Sequence, residues 1–289
     1  MDRAALTRRV IAWYALHARD LPWRQAGVSP WGVLVSEFML QQTPVARVLE
    51  PWRSWLQRWP APAGLAAEGA GEAVRMWGRL GYPRRALRLH QAATQLVRIH
   101  HGEVPADVTA LRALPGVGDY TAAAVASFAF GQRHVVLDTN VRRVLTRLDG
   151  GQDLPGPSVT TAEKARAQAW LPEEGADAPR WAVGAMELGA QICLAGTPRC
   201  HACPVADACR WLALGRPAHD GPPRRAQPYA GTDRQCRGAL LAVLRSQDAV
   251  SAERLRQAWP SDPGQADRAL ASLVGDGLVL RRRDGRYRL

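Results

Sequence analysis

Four cysteines crowd into one stretch, Cys193, Cys200, Cys203 and Cys209, with the spacing C-x6-C-x2-C-x5-C. A four-thiolate set holds zinc or a [4Fe–4S] cube, and a C-x2-C pair alone does not decide between them. One close pair, with all four ligands on a loop of seventeen residues, suits a cube gripped from its corners. Two carboxylates also stand out. Glu37 lies inside the apolar run V-L-V-S-E-F-M-L, and Asp138 ends the run V-V-L-D. A carboxylate in such company is either a surface position on a half-buried helix or a desolvated acid with a raised pKa. Between them lies L-P-G-V-G-D-Y-T-A, Leu114 to Ala122. Gly116 and Gly118 allow a sharp turn and offer bare N–H groups at a helix start, where a phosphate fits; an ordinary tight turn is the alternative.

Helices separated by Gly/Pro-marked turns would position these groups. Apolar periodicity predicts helices over 2–19, from the Ser29-Pro30 entry through Met39, over 45–59, 65–80 and 87–101, up to Phe130, and over 141–148, 161–170 and 181–193. No alternating strand pattern interrupts them, so this part reads as all-α. Residues 215–233 are dense in Pro, Gly and polar residues and read as a linker. Beyond them the pattern predicts helices over 238–245, 251–259 and 265–275, then two short strands around Asp284-Gly285. That order is a winged helix-turn-helix, whose third helix and basic ribbon would meet DNA or a partner.

The chain has 289 residues and a formal net charge of +12, an excess that points to a polyanionic partner, nucleic acid first. Its one lysine is Lys164. No run reaches the roughly 18–20 apolar residues of a membrane span, and no signal-like segment follows Met1. A cytoplasmic, nucleoid-associated protein is expected. Five cysteines, four of them clustered, exclude a secreted disulfide scaffold. Cys236 is a lone thiol.

Taken together, V-S-E-F-M-L-Q-Q-T (Val35 to Thr43), L-G-Y (Leu80 to Tyr82), the turn at Leu114 to Ala122, V-L-D-T-N-V-R-R-V-L (Val136 to Leu145) and M-E-L-G-A-Q-I-C before the cysteine spacing resemble one group. It is the helix-hairpin-helix base-excision DNA glycosylases of the endonuclease III superfamily, and within it the adenine DNA glycosylases (MutY-type). The resemblance implies a mainly α fold: a two-lobed helical core with a helix-hairpin-helix and a [4Fe–4S] loop, followed here by the winged helix-turn-helix. Residues 1–27 and 136–212 would form the cluster lobe, and 28–135 a six-helix barrel lobe carrying the hairpin at 107–130. A linker at 213–233 and a winged-helix domain at 234–289 would follow.

For function, the resemblance implies hydrolysis of the N-glycosidic bond of adenine mispaired with 8-oxoguanine or guanine, in double-stranded DNA, by a monomer. A poor leaving group and a cationic sugar require a proton donor at the base and a negative charge beside the ring. Glu37 takes the first role, protonating N7 and then assisting water, and Asp138 the second, with Asn140 holding backbone near it. The target base leaves the stack. Gln42 and Tyr82 wedge into the duplex, Leu40, Trp23 and Arg24 line the pocket or its entrance, and Gln41, Gly116, Val117, Gly118 and Thr121 complete the DNA contacts. The four cysteines hold the [4Fe–4S] cluster. Strand-cutting relatives carry a Schiff-base lysine where this chain has Tyr120, which implies a monofunctional enzyme.

Two features depart from the family pattern. Ala182 and Val183 stand where a polar residue is usual, and the Nudix-like C-terminal domain that reads 8-oxoguanine is replaced by the winged helix. Two rival readings are a mismatch-specific glycosylase for thymine, uracil or another lesion, and an iron–sulfur winged-helix DNA-binding regulator with no need of Glu37 or Asp138.

Overall fold

Polar caps and Gly or Pro breaks set the helix ends. Asp2 caps α1 (Arg3–His17), accepting from the Ala5 N–H at 3.0 Å. Pro30 opens α2 (Pro30–Leu40), where Ser29 Oγ accepts from the Gly32 N–H. α3 (Val45–Arg58) follows. The single helix expected over 65–80 is two, α4 (Pro62–Ala67) and α5 (Ala70–Trp77). They part at Glu68-Gly69, whose backbone is extended and whose Glu68 carboxylate accepts from Trp59 Nε1 at 2.8 Å. α6 (Arg84–Ile99) leads to the hairpin helices α7 (Val108–Arg112) and α8 (Asp119–Phe130), the latter stopped by left-handed Gly131. α9 (Thr139–Leu148) is capped by Asp138, and α10 (Thr161–Ala169) by a Thr160/Glu163 capping box. α11 (Asp177–Gln191) runs into the cysteine loop, and α12 (Arg210–Ala213) follows it.

The computed structural model describes residues 2–219, 221 and 229–289. Part of the expected linker, residues 220 and 222–228, lies outside them. After it come α13 (Asp233–Ser246), α14 (Ala252–Gln257) and α15 (Pro263–Gly275), each entered from a side-chain cap, Thr232, Ser251 and Asp262. β1 (Leu280–Arg281) and β2 (Tyr287–Arg288) pair antiparallel, with Leu280 opposite Arg288. No described helix is long and apolar enough to cross a membrane.

Backbone contacts group the chain into two units, one of residues 1–33, 106–112 and 117–223 and one of 34–105, 113–116 and 224–289. In the first, α1, α9 and α11 bury Leu6, Val10, Val144, Leu148, Trp181 and Leu188. A Cβ on Gly184 would sit 3.3 Å from Val10 and Tyr14 side-chain atoms, so a glycine there lets α11 approach α1 closely. Glu187, 0 % exposed, joins α11 to the segment after α1: it meets Arg19 at 2.5 Å and Arg24 at 2.6 Å and accepts from Gln191 at 2.7 Å.

In the second unit, Trp55 packs edge-on against Trp59 and Trp77, with ring centroids 4.6 and 5.7 Å apart. The C-terminal helices close their own core over Cys236, Leu240, Leu244, Leu255 and Leu273. Arg75 of α5 ties this core to the rest of the unit by donating to the Leu244 and Arg245 carbonyls, and Arg245 Nε donates back to the Val74 carbonyl.

Removing a buried carboxylate leaves its arginine partners without a countercharge, at a cost of about 3–5 kcal/mol. Glu187→Ala is therefore expected to unfold at markedly lower urea concentration. Despite its burial, the two arginines hold the Glu187 carboxyl at about 2, below its ordinary 4.5. Its stabilisation is thus present above the ordinary value and is lost as pH falls toward 2. Urea midpoints against pH check both statements, and a variant as stable as the parent contradicts them.

Candidate active site and DNA-contact loops

Asp138 is the N-cap of α9. Its Oδ1 accepts from the Val141 N–H at 2.6 Å and its Oδ2 from Asn140 Nδ2 at 2.7 Å. Burial pushes the carboxyl above the usual range, opposed by these hydrogen bonds and by the Arg143 charge. The ties continue outward. Arg143 donates to Asn140 Oδ1 at 2.9 Å, to the Gly189 carbonyl at 2.6 Å and to the Cys193 carbonyl at 2.6 Å. A Cβ on Gly189 would lie 2.6 Å from Asn140 Cβ, so only glycine lets α11 come this close to the start of α9. A continuous chain of hydrogen bonds thus joins the Asp138 carboxylate to the backbone of the first cysteine.

The four cysteines line one small cavity together with Arg147, Ile192 and Trp211. Burial pushes the Cys203 thiol up to about 12, reinforced by the three other sulfurs, and raises Cys209 as well. Backbone N–H groups oppose this, Val205 toward Cys203, and Leu212 and Trp211 toward Cys209. Arg147, 1 % exposed, donates to Cys193 Sγ at 3.4 Å and to the Leu194 carbonyl, pairs with Asp153 at 2.6 Å and stacks over Trp211. A donor at Cys193 Sγ and four sulfurs lining one cavity are consistent with thiolates held by a metal group. Among the described residues, no three or more His, Cys, Asp or Glu close around a single metal ion.

At the hairpin, Gly116 takes φ +84°, and a Cβ there would lie 2.8 Å from Phe38 and Arg88 side-chain atoms. Gly118 is different: its backbone is extended, it caps α8, and open space surrounds it. The turn therefore needs Gly116 for its conformation and Gly118 for its bare approach. Val117 and Thr121 are buried, whereas Gly118 is exposed. Tyr120 packs against the small cluster of Ala124, Val136 and Ala182. The apolar residue at Ala182 is thus core. Trp23 is buried in a 3-10 turn, and Arg24 beside it is spent on Glu187 and the Tyr14 ring.

In the other unit Glu37 lies on α2, 5 % exposed, in an apolar row with Leu34, Phe38 and Met39. Leu40 ends that helix, and Gln41, Gln42 and Thr43 form the turn after it. Gln42 and Tyr82 both take the left-handed backbone region, φ 55° and 47°, unusual for residues with side chains. Both are exposed, Tyr82 by 52 %. Arg85 holds the two turns together. Its guanidinium donates to the Phe38 carbonyl at 2.9 Å, the Gln41 carbonyl, Thr43 Oγ1 at 3.0 Å and the Gly81 carbonyl at 3.1 Å, and lies 5.3 Å from the Tyr82 ring. Burial lowers its pKa to about 10, which still leaves it charged at neutral pH.

Within one unit the structure brings together Asp138, Asn140 and the cysteine loop, and within the other Gln41, Gln42 and Tyr82. Sequence reasoning missed Arg85, Arg143 and Arg147, because arginines on a helix ordinarily face water. Their signal was positional: Arg143 and Arg147 stand four residues apart on the helix that follows Asp138. Arg85→Met, which keeps the stem and removes the donors, is expected to free both turns. Duplex affinity should fall at least several-fold and stability by about 1–3 kcal/mol, as five acceptors, the Met39 carbonyl among them, lose their donor. Anisotropy titration and urea unfolding check this, and unchanged affinity contradicts it.

Comparison with known proteins matches residues 35–170 to the HhH-GPD superfamily of base excision DNA repair proteins. The chain is 54% identical over 282 residues to an adenine DNA glycosylase of Mycobacterium tuberculosis, covering 97% of this chain and 92% of that one. It is 36% identical over 210 residues to a thymine/uracil-DNA glycosylase of Pyrobaculum aerophilum, covering 72% and 91%. A thermostable thymine-DNA glycosylase of solved structure superposes with a TM-score of 0.66 at 25% identity, over 73% of this chain and 97% of that one. The chain belongs to the HhH-GPD superfamily of base excision DNA repair proteins, within its adenine DNA glycosylase family.

Proposed function

We propose that the chain removes adenine mispaired with 8-oxoguanine or guanine from duplex DNA, as a monomeric, monofunctional glycosylase. The observation that carries this is the identity to an adenine DNA glycosylase over 97% of the chain, C-terminal helices included. Those helices are thus matched in a relative of that name. Residues 1–27 and 136–212 act as the cluster lobe, 28–135 as the barrel lobe and 234–289 as a winged helix.

In this reading Gln42 and Tyr82, exposed on left-handed turns, enter the duplex and displace the adenine. The bare N–H groups at the start of α8 and the Gly116 turn grip the adjoining phosphate, and Val117 and Thr121 pack beneath them. By the family resemblance Leu40, Trp23 and Arg24 would line the pocket or its entrance and Gln41 would contact DNA. Glu37, set in an apolar row, delivers a proton to N7 and later assists the attacking water. Asp138, ionised, offsets the positive charge that grows on the sugar as the bond breaks. Asn140 and Val141 keep its oxygens fixed, so little reorganisation accompanies that step. Cys193, Cys200, Cys203 and Cys209 would hold a [4Fe–4S] cluster, which fastens the loop that anchors Arg143 and Arg147. The C–N bond breaks toward adenine, and water supplies the hydroxyl on the sugar.

Tyr120 replaces the amine that strand-cutting relatives use, and Lys164 is paired with Asp119 at 3.8 Å. Borohydride is therefore expected to trap no covalent adduct.

Duplexes holding A or T opposite 8-oxoguanine and G, incubated with the protein and then treated with alkali, should break at adenine alone. Breaks at thymine instead select the mismatch-thymine reading, and no break at adenine refutes this one. Glu37→Gln should lower the single-turnover rate at least about 100-fold. Full retention of DNA-linked activity by that variant would favour a regulator. Because burial raises the Asp138 pKa, excision should fall as pH drops through a value above the usual carboxylate range.

A further inference from the structure

We propose that the C-terminal helices meet DNA through α13 rather than α15. On this account α13 closes an arginine groove with the Gln42 and Tyr82 turns, and the groove takes the phosphodiester backbone of one strand. The inference rests on the reading that these two turns enter duplex DNA, and it assigns the partner of a surface that the excision chemistry leaves unused.

The groove encloses 1180 Å³ within the second unit. One wall is the turn region of Gln42, Arg79, Tyr82 and Arg88; the other is α13 with Arg234 and Arg245. Eight arginines and no carboxylate line it. Arg79, Arg88 and Arg234 are exposed and make no ion pair among the described residues. Burial, and like-charge repulsion from Arg79, lower the Arg245 pKa, while Arg84 and Arg237 at the groove are paired with Asp276. Tyr82 and Tyr229, 52 % and 53 % exposed, stand at the walls, and Arg234 stacks over Tyr229 at 5.3 Å. Arginines along a channel match a sugar–phosphate backbone, whose charges they neutralise.

The helix that the winged pattern nominates as the reader has its charges spent. On α15, Arg268 pairs with Asp262, Asp267 with Arg256, and Asp276 just beyond it with Arg237 and Arg84. On the ribbon, Arg282 and Arg286 close on Asp284, and the chain end lies against α5, where a Cβ on Gly71 would come within 2.4 Å of Leu289.

The test uses the full chain and an undamaged labelled duplex, so that it stands whether or not adenine is excised. Anisotropy would give affinity between about 50 and 200 mM salt for the parent, for Arg79→Ala/Arg234→Ala, and for Arg268→Ala/Arg283→Ala on α15 and the ribbon. Thermal melts establish that each variant folds. The groove variant is expected to bind at least tenfold more weakly, with a salt slope shallower by about 2, as each lost phosphate contact removes about 0.9. The α15 and ribbon variant should match the parent. Parental affinity and slope in the groove variant overturn the proposal, as does loss confined to the α15 and ribbon variant. No salt-dependent duplex binding by the parent also overturns it and points to an acidic protein partner.

Discussion

Burying a guanidinium costs desolvation, which acceptors for its N–H groups and a counterpart for its charge offset. Three arginines on α9 are buried in this way. Arg142 pairs with Glu163 at 2.9 Å and donates to the Gly156 and Ser158 carbonyls. Arg143 and Arg147 divide their donors between Asn140, Asp153 and the backbone of Gly189, Cys193 and Leu194. Each anchor costs desolvation and returns geometry, and together they fix the helix whose first turn holds Asp138. The candidate catalytic carboxylate is thus held in place by arginines further along its own helix.

The same device recurs in the other unit. Arg85 gathers the carbonyls left over at the end of α2 and in the Gly81 turn, and so holds Gln42 and Tyr82 in backbone conformations they would not adopt alone. Strain of about 1–3 kcal/mol at each is tolerated because one buried cation over-determines both turns. In both units the candidate site residues sit at helix ends and turns fastened by an arginine that local sequence patterns assign to solvent.

This explains what was legible beforehand. Most helix periods and the Asp284-Gly285 hairpin are local signals, and these appear where they were expected. The break at Glu68-Gly69 was hidden, because it depends on Trp59 and Arg58 drawing Glu68 away from a continuous helix. Gly116 and Gly118 look equivalent in sequence, yet only Gly116 has positive φ and is crowded by Phe38 and Arg88, which are distant in the chain. Asp138 was readable as the end of an apolar run, but its role as the α9 cap was not, since the helix begins two residues before its first apolar position.

The central claim is that the cysteine loop and the carboxylate act as one assembly through Arg143. The most direct measurement is the pH profile of single-turnover adenine excision for Arg143→Met. The Arg143 charge lowers the Asp138 pKa, so its removal should raise that pKa further and move the acid limb of the profile to higher pH. An acid limb at the parental pH, with parental rate, would contradict the account.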